Sequence, residues 1–102
     1  MHNICTTEPF FEWDDRKNLE NQRKHDVSFG EAKSVFLDEH AMEFHDPEHS
    51  QMEDRFIIWG LSDRSRVLVV THCYRRDYSM VRIISARKAD KNEEKIYWRD
   101  VR

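Results

Sequence analysis

The chain of 102 residues has few residues that interrupt regular structure, with two glycines, two prolines and two cysteines. With only Gly30 and Gly60, the sequence has neither a flexible linker nor the glycine-rich loops that cradle phosphates in nucleotide-binding domains. Cys5 and Cys73 are too far apart for the CxxC spacing of zinc and redox sites, so we expect free thiols. These absences indicate a single folded domain.

Long apolar runs are also missing. No stretch approaches the roughly 20 apolar residues that a membrane helix requires, and no basic segment followed by an apolar one opens the chain. We therefore expect a cytoplasmic protein that does not bind membranes. Residues 1–9 are polar and unpatterned, which predicts a flexible extension before one domain over residues 10–102.

Charge is unevenly divided along the chain, whose net charge is −3. Residues 64–102 contain 11 Lys and Arg against 5 Asp and Glu, a balance of +6, whereas 6 basic and 15 acidic residues give −9 over residues 1–63. A basic C-terminal third can form a positive face that attracts phosphate backbones or an acidic partner. The alternative is that these charges scatter over a solvated surface.

The spacing of apolar residues predicts the element order β-α-α-β-β-β-β-α, an α+β fold. Two N-terminal helices should pack on one face of a mixed sheet whose Arg55–Ser85 core is an antiparallel meander. The predicted strands are Phe10–Trp13, Ala41–Asp46, Arg55–Leu61, Arg66–Tyr74 and a last one from Tyr78 to Ser85. The predicted helices begin after Asp14 or Asp15, Ser28 and Asp90, and the first two end near His25 and Leu37.

Two features of the N-terminal helices are specific enough to test. The first helix is mostly polar, with Leu19 as its only aliphatic anchor, so its stability must come from docking. In the second helix, Ser28 and Glu31 have the spacing of a capping box.

Cations in two places suggest chemistry on phosphate. In Arg82-Ile-Ile-Ser-Ala-Arg87-Lys88 a strand ends and presents two adjacent cations, and a guanidinium binds phosphate bidentately. Lys24 and His25 close the first helix, where histidine can transfer a proton near neutral pH. Structural roles are open for each: a salt bridge for Arg82, carboxylate anchors for Arg55 and Arg87, a dipole-complementing pair for Lys24 and His25, and a core position for Tyr97.

A metal site is an alternative, because three histidines and two acids fall within ten residues: His40, His45, Asp46, Glu48 and His49. Metal ligands must converge in space, and this stretch spans a strand and a loop with no i,i+4 pair on one helix. We therefore predict no metal site and no cofactor.

An ordered series of motifs runs through residues 10–98. In these motifs the sequence resembles the BrnT toxins of bacterial type II toxin–antitoxin pairs, although the extension over residues 1–9 and the net negative charge depart from the family pattern. The matching positions are Phe11-Glu12-Trp13-Asp14, Lys17, Asn21, Lys24-His25, Val27-Ser28-Phe29, Glu31-Ala32, Val35-Phe36, Asp46-Pro47, Arg55-Phe56-Ile57, Gly60-Leu61-Ser62, Arg82 to Ala89, Glu94 and Tyr97.

The resemblance implies a RelE-like fold and metal-independent RNA cleavage by the substrate's own 2′-hydroxyl, with inhibition of translation and growth. It also implies neutralisation by a BrnA-like ribbon-helix-helix antitoxin, through which alone the complex contacts operator DNA. The implied catalytic residues are Lys24, His25, Arg55, Arg87 and Tyr97, and the implied RNA-binding residues are Arg82, Ser85, Lys88 and Glu94. Which group is base and which is acid stays open, and the alternative function is a catalytically inactive RelE-fold module that only binds a DNA-binding antitoxin.

Overall fold

Five strands and three helices make up the protein in a computed structural model that describes residues 10–101. The predicted element order is confirmed, whereas the extension over residues 1–9 and the thiol of Cys5 lie outside the described residues. Two 3₁₀ turns were not predicted, at Val35–Leu37 and Pro47–His49. The strands are β1 (Phe10–Glu12), β2 (Met42–Asp46), β3 (Arg55–Leu61), β4 (Val67–Arg75) and β5 (Met80–Lys88), and the helices are α1 (Asp15–His25), α2 (Phe29–Ser34) and α3 (Lys91–Val101).

The sheet is mixed, with the strand order β1-β5-β4-β3-β2. Strands β2 to β5 pair antiparallel with their neighbours, which confirms the predicted meander, and β1 pairs parallel with β5. The parallel pair is possible because the chain between β1 and β5 passes through the helices and the whole meander, which is long enough for a crossover. β1 and β2 are the two edge strands of this sheet.

The core lies between the sheet and the two N-terminal helices. Side chains alternate across a strand, so one face of β4 and β5 meets α1 and α2 while the other points away. None of the helices in the described part of the chain is long and apolar enough to cross a membrane. The buried cluster consists of Val27, Phe29, Ala32, Val35, Ile58, Leu68, Val70, Val81, Ile83 and Ala86.

Helix α1 does not dock through Leu19, whose side chain is 60% exposed, so that prediction is wrong. Asn21, which is 6% exposed, takes its place. Its Nδ2 donates to the carbonyl oxygens of Val27 at 2.9 Å and Ala86 at 2.7 Å, and its Oδ1 accepts from the Ala86 N–H at 3.1 Å. A helix with no apolar face is thus fastened to β5 by one buried amide.

The predicted capping box at α2 is only half formed. Ser28 Oγ accepts from the Glu31 N–H at 3.0 Å, but the Glu31 carboxylate turns away to Arg66 and to Ser62 Oγ at 2.7 Å. Burial raises the pKa of Glu31, and the hydrogen bonds from Arg66 and Ser62 outweigh it, so the net pKa lies below its usual value. Because Ser62 and Arg66 flank the β3–β4 turn, the Glu31 carboxylate is bonded to that turn rather than to the N-terminus of α2.

Strand β5 continues to Lys88 instead of ending at Ser85 as predicted. Its register with β4 shifts at Thr71 and His72, which pair with Ser85 and Ile83 and leave Ile84 as the extra residue of a bulge. Beyond the bulge, alternation places Ala86 in the core and Arg87 on the face away from α1 and α2. The strand also begins later than predicted, because Tyr78 belongs to the preceding turn.

Helix α3 begins with a complete capping box. The Glu93 N–H donates to Asp90 Oδ1 and the Asp90 N–H donates to Glu93 Oε1, both at 2.8 Å, so both residues satisfy free donors of the first turn. Tyr97, for which a core position was the alternative to a catalytic role, is 1% exposed, and its hydroxyl donates to Asp38 Oδ2 at 2.5 Å. Helix α3 is therefore anchored to the loop before β2.

Gly60 is required where β3 passes closely under the helical layer. A Cβ at this position would lie 2.7 Å from Val35 Cγ1 and 3.2 Å from Ala41 Cβ. We expect Gly60→Ala to lower the free energy of unfolding by about 1–3 kcal/mol, as overpacking does in cores, measured by urea denaturation. Gly30→Ala is the control, because the nearest side-chain atom there is 3.8 Å away. The Gly30→Ala protein should be as stable as the wild type or more stable by up to about 1 kcal/mol. Equal free energies of unfolding for the two variants would contradict the crowding at Gly60.

Candidate functional site

The C-terminal end of α1 meets the end of β5 and forms a pocket of about 340 Å³. Lys24 and His25 enter it from the helix, and Arg87 and Lys88 enter it from the strand, with Arg23 and Asp26 completing its lining. We call this the cationic pocket. Five of its six residues are basic or can become so, which makes it suited to an anion.

The helix end explains why cations gather on that side. Arg23, Lys24 and His25 form the last turn of α1, where the helix dipole favours positive charge. Asp26 ends the helix in the left-handed conformation, with a φ of 59°, and its N–H donates to the Gln22 carbonyl at 2.9 Å. The helix dipole therefore favours the basic side chains of this last turn whether or not the pocket binds a ligand.

Arg87 is held by a bidentate ion pair. Its Nη1 and Nη2 donate to Glu93 Oε1 and Oε2 at 2.8 and 2.9 Å. Hydrogen bonds from Arg87 lower the pKa of Glu93, and the same pair raises the pKa of Arg87. The Arg87 side chain is still 44% exposed. Arg87 Nη1 also donates to the Lys88 carbonyl at 3.4 Å. With three of its five guanidinium donors engaged, Arg87 combines a fixed orientation with two remaining N–H groups for an anion.

Asn21 sets the distance between the two sides of the pocket. It lies one turn before Lys24 and His25 on α1, and it bonds both backbone groups of Ala86, the residue before Arg87. Sequence reasoning identified Asn21 only as a matching motif position. Nothing in the pattern of a polar helix shows which of its polar residues is buried.

Arg55 and Arg82 lie away from the cationic pocket. Both align with Cys73, whereas Arg87 pairs with Val69, four residues along β4 and so about 13 Å away. Arg82 forms the salt bridge that was one of its alternatives, with its Nη1 3.2 Å from Glu12 Oε2. Arg55 instead lines a separate pocket of about 240 Å³ beside the loop after β2.

The other predicted site residues also occupy separate places. Ser85 is half-buried in β5 opposite Thr71, and Glu94 lies on the exposed side of α3. Burial raises the pKa of Tyr97, and its hydrogen bond to Asp38 raises it further. With its hydroxyl already bonded and its ring in the interior, Tyr97 has the core role that was its alternative.

Three possible metal ligands do converge, contrary to expectation. Three possible ligand atoms lie within 4.8 Å of one another, one each from Asp46, Glu48 and His49. A hydrogen bond between His49 Nδ1 and Asp46 Oδ2 at 3.0 Å accounts for most of this closeness. His45 contacts Asp54 instead, at 3.3 Å.

A further polar cluster was missed altogether. His72 is fully buried, and its Nε2 lies 2.6 Å from Glu43 Oε2, which also accepts from the Tyr74 hydroxyl. Burial lowers the pKa of His72, partly offset by Glu43. The partners come from β2 and β4, about 30 residues apart, so no local pattern predicts their contact.

Comparison with known proteins identifies the family. The family model described as "Ribonuclease toxin, BrnT, of type II toxin-antitoxin system" matches residues 13–93. A crystal structure of the Brucella abortus ribonuclease toxin BrnT has a TM-score of 0.62 to this chain at 20% sequence identity, and the match covers 83% of this chain and 100% of that one. Among curated proteins none matches. The structural likeness shows a shared fold, and the family match over most of the sequence shows that this chain belongs to the BrnT family of type II ribonuclease toxins.

Proposed function

We propose that the protein is an endoribonuclease whose active site is the cationic pocket and which needs no metal. The observation that carries this proposal is the convergence of Lys24 and His25 with Arg87 and Lys88, more than 60 residues further along the chain. RNA cleavage without a metal requires one group that transfers protons and several that neutralise phosphate charge. The pocket contains both kinds.

The proposed reaction uses the 2′-hydroxyl of the RNA as the nucleophile. Its oxygen attacks the adjacent phosphorus as it loses its proton, and the bond from phosphorus to the 5′-oxygen breaks as that oxygen gains one. The products are a 2′,3′-cyclic phosphate and a 5′-hydroxyl. His25 carries one of the two protons, because an imidazole ring can both accept and donate a proton in general acid–base catalysis. Lys24, Lys88 and the free N–H groups of Arg87 stabilise the pentacoordinate phosphorus.

The remaining predicted residues then have other roles. Tyr97 is a structural residue of α3 and takes no part in proton transfer. The residues outside the pocket do not contact the cleaved bond: Arg55, Arg82, Ser85 and Glu94.

We further propose that the protein acts in the cytoplasm, where RNA cleavage stops translation and growth until a BrnA-like antitoxin neutralises it. A segment of complementary charge laid over the cationic pocket would exclude RNA. The ribbon-helix-helix part of such an antitoxin would bind operator DNA, so the toxin itself needs no DNA contact.

One observation favours the alternative, a binding module without catalysis. The ion pair between Arg87 and Glu93 is the carboxylate-anchoring role that a structural arginine would have. In that case Arg87 would hold α3, and the pocket would bind only the antitoxin.

The purified protein incubated with RNA in excess EDTA distinguishes these functions. We expect cleavage that the chelator does not reduce, with cyclic phosphate ends, and growth arrest when the protein is expressed without an antitoxin. His25→Gln should abolish both effects, whereas His49→Gln, another exposed histidine, should keep them. Cleavage that EDTA abolishes would contradict the metal-free mechanism. If the protein neither cleaves RNA nor arrests growth, the binding module is the function that remains.

A further inference from the structure

A second cavity lies at the opposite end of the β4–β5 hairpin from the cationic pocket. Its volume is about 220 Å³, and its lining includes three aromatic rings and two arginines. We call it the hairpin pocket. The rings belong to Phe56, Tyr74 and Tyr78, the cations to Arg75 and Arg76. Two carboxylates, Asp54 and Asp77, complete the lining.

The turn that presents Tyr78 is conformationally costly. Arg76, Asp77 and Tyr78 are three successive non-glycine residues in the left-handed region, with φ angles of 53°, 55° and 70°. The turn is closed by the N–H and Oγ of Ser79, which both donate to the Arg76 carbonyl, at 3.1 and 2.8 Å. This strain is not offset by burial, because Tyr78 is 68% exposed. Such strain persists where the turn serves a function.

Tyr74 packs against the two other rings of the hairpin pocket, those of Phe56 and Tyr78, and is also fixed by a hydrogen bond. The ring of Tyr74 lies 5.0 Å from that of Tyr78 and 5.4 Å from that of Phe56. The Tyr74 hydroxyl donates to Glu43, and buried His72 bonds the same carboxylate. The hydrogen-bonded cluster that the cleavage mechanism does not use therefore orients one ring of the hairpin pocket, as supporting residues do in binding sites.

Three arginines lie between the two pockets on the sheet face away from α1 and α2. Arg75, Arg82 and Arg87 share this face, because Arg82 pairs with Cys73, Arg87 pairs with Val69, and both partners alternate along β4 in step with Arg75. Arg75 and Arg82 are ion-paired there with Glu12 and Glu53. The rings of Phe56 and Tyr74 lie on the opposite face of the sheet, with His72. From Lys88 to Met80 the strand covers eight residues, about 26 Å at the rise of a β-strand. A ligand that contacts both pockets must therefore be extended, as a single strand of RNA is.

We infer that the hairpin pocket binds an unpaired base of the RNA strand, several nucleotides away from the bond cleaved at the cationic pocket. Aromatic rings stack on any nucleobase, and neighbouring arginines bind its phosphates, which is the chemistry of single-stranded RNA recognition. Asp54 and Asp77 can accept hydrogen bonds from exocyclic amino groups of the base. This inference rests on the proposed function, since it assigns a remote contact to the same substrate.

Binding of uncleavable 2′-deoxy-substituted oligonucleotides, measured by fluorescence anisotropy, tests the inference. One probe has about 12 nucleotides, within the range that single-strand binding sites cover, and the other is a trinucleotide too short to join the pockets. We expect Tyr78→Ala to weaken binding of the long probe about tenfold, as for the loss of one stacked base, and to leave the trinucleotide unaffected. Tyr78→Phe keeps the ring and should bind like the wild type.

Cross-linking shows the contact directly. A 4-thiouridine at the remote end of the long probe should label the segment of residues 74–78. Equal long-probe binding by Tyr78→Ala and the wild type would overturn the inference. An equal loss for both probes would overturn it too, as would Tyr78→Ala weakening only antitoxin binding. If the wild type binds neither probe, the proposed function fails with it. The trinucleotide tests the cationic pocket alone. If Arg87→Ala no longer binds it and Tyr78→Ala binds it like the wild type, the proposed function stands, whatever the result with the long probe.

Discussion

Replacing Arg87 with alanine is expected to slow RNA cleavage by about 10²- to 10³-fold, the loss typical of removing one electrostatic donor from a transition state. The fold should survive, because the ion pair with Glu93 is partly exposed and such pairs contribute about 0–1 kcal/mol. Glu93 also keeps its capping hydrogen bond with Asp90. Single-turnover cleavage rates and circular dichroism measure the two effects.

Two further variants make the result specific to Arg87. Arg87→Lys keeps the charge but loses the planar fork, so we expect activity between those of the wild type and the alanine variant. Arg16→Ala removes the same charge at the opposite end of α1, about 12 Å from Lys24 and about 14 Å from His25 at the helical rise per residue. This variant should cleave normally. Full activity of a folded Arg87→Ala protein would remove Arg87 from the mechanism.

Asn21→Leu should be the most destabilising of the substitutions considered, by about 3 kcal/mol or more. Leucine has a similar size but leaves the carbonyls of Val27 and Ala86 and the Ala86 N–H buried without partners, and each such group costs about 1–3 kcal/mol. The free energy of unfolding from urea titration measures the effect. Cleavage should fall at temperatures where the variant is still folded, because Asn21 holds Lys24 and His25 beside Arg87.

Gln22→Leu is the matched control, since it makes the same change one residue along on the exposed side of α1. Exposed positions of this kind change stability by about 0.5 kcal/mol or less. If Asn21→Leu and Gln22→Leu unfold at the same urea concentration, the buried amide does not fasten α1 to β5.

The sequence by itself determined the order of elements, the antiparallel meander and the helix starts at Asp14 or Asp15, Ser28 and Asp90. It also determined the family, through motifs spread over nearly the whole domain. These features depend on interactions between residues close in the chain: side-chain alternation in strands, helical periodicity, and caps that bond a backbone N–H two or three residues away. Short-range geometry is the same in any fold, so it can be inferred without one.

Only the tertiary structure decided which polar residues are buried and which cations meet. Asn21 replaced Leu19 as the anchor of α1 because its partner Ala86 lies 65 residues away. Glu31 left its capping role for Arg66, 35 residues away. The bulge at Ile84 shifted the register of β5 and placed Arg87 opposite Val69, while β3 placed Arg55 opposite Cys73. Such outcomes depend on strand register and on the competition of many partners for each polar group, and neither is encoded in local spacing.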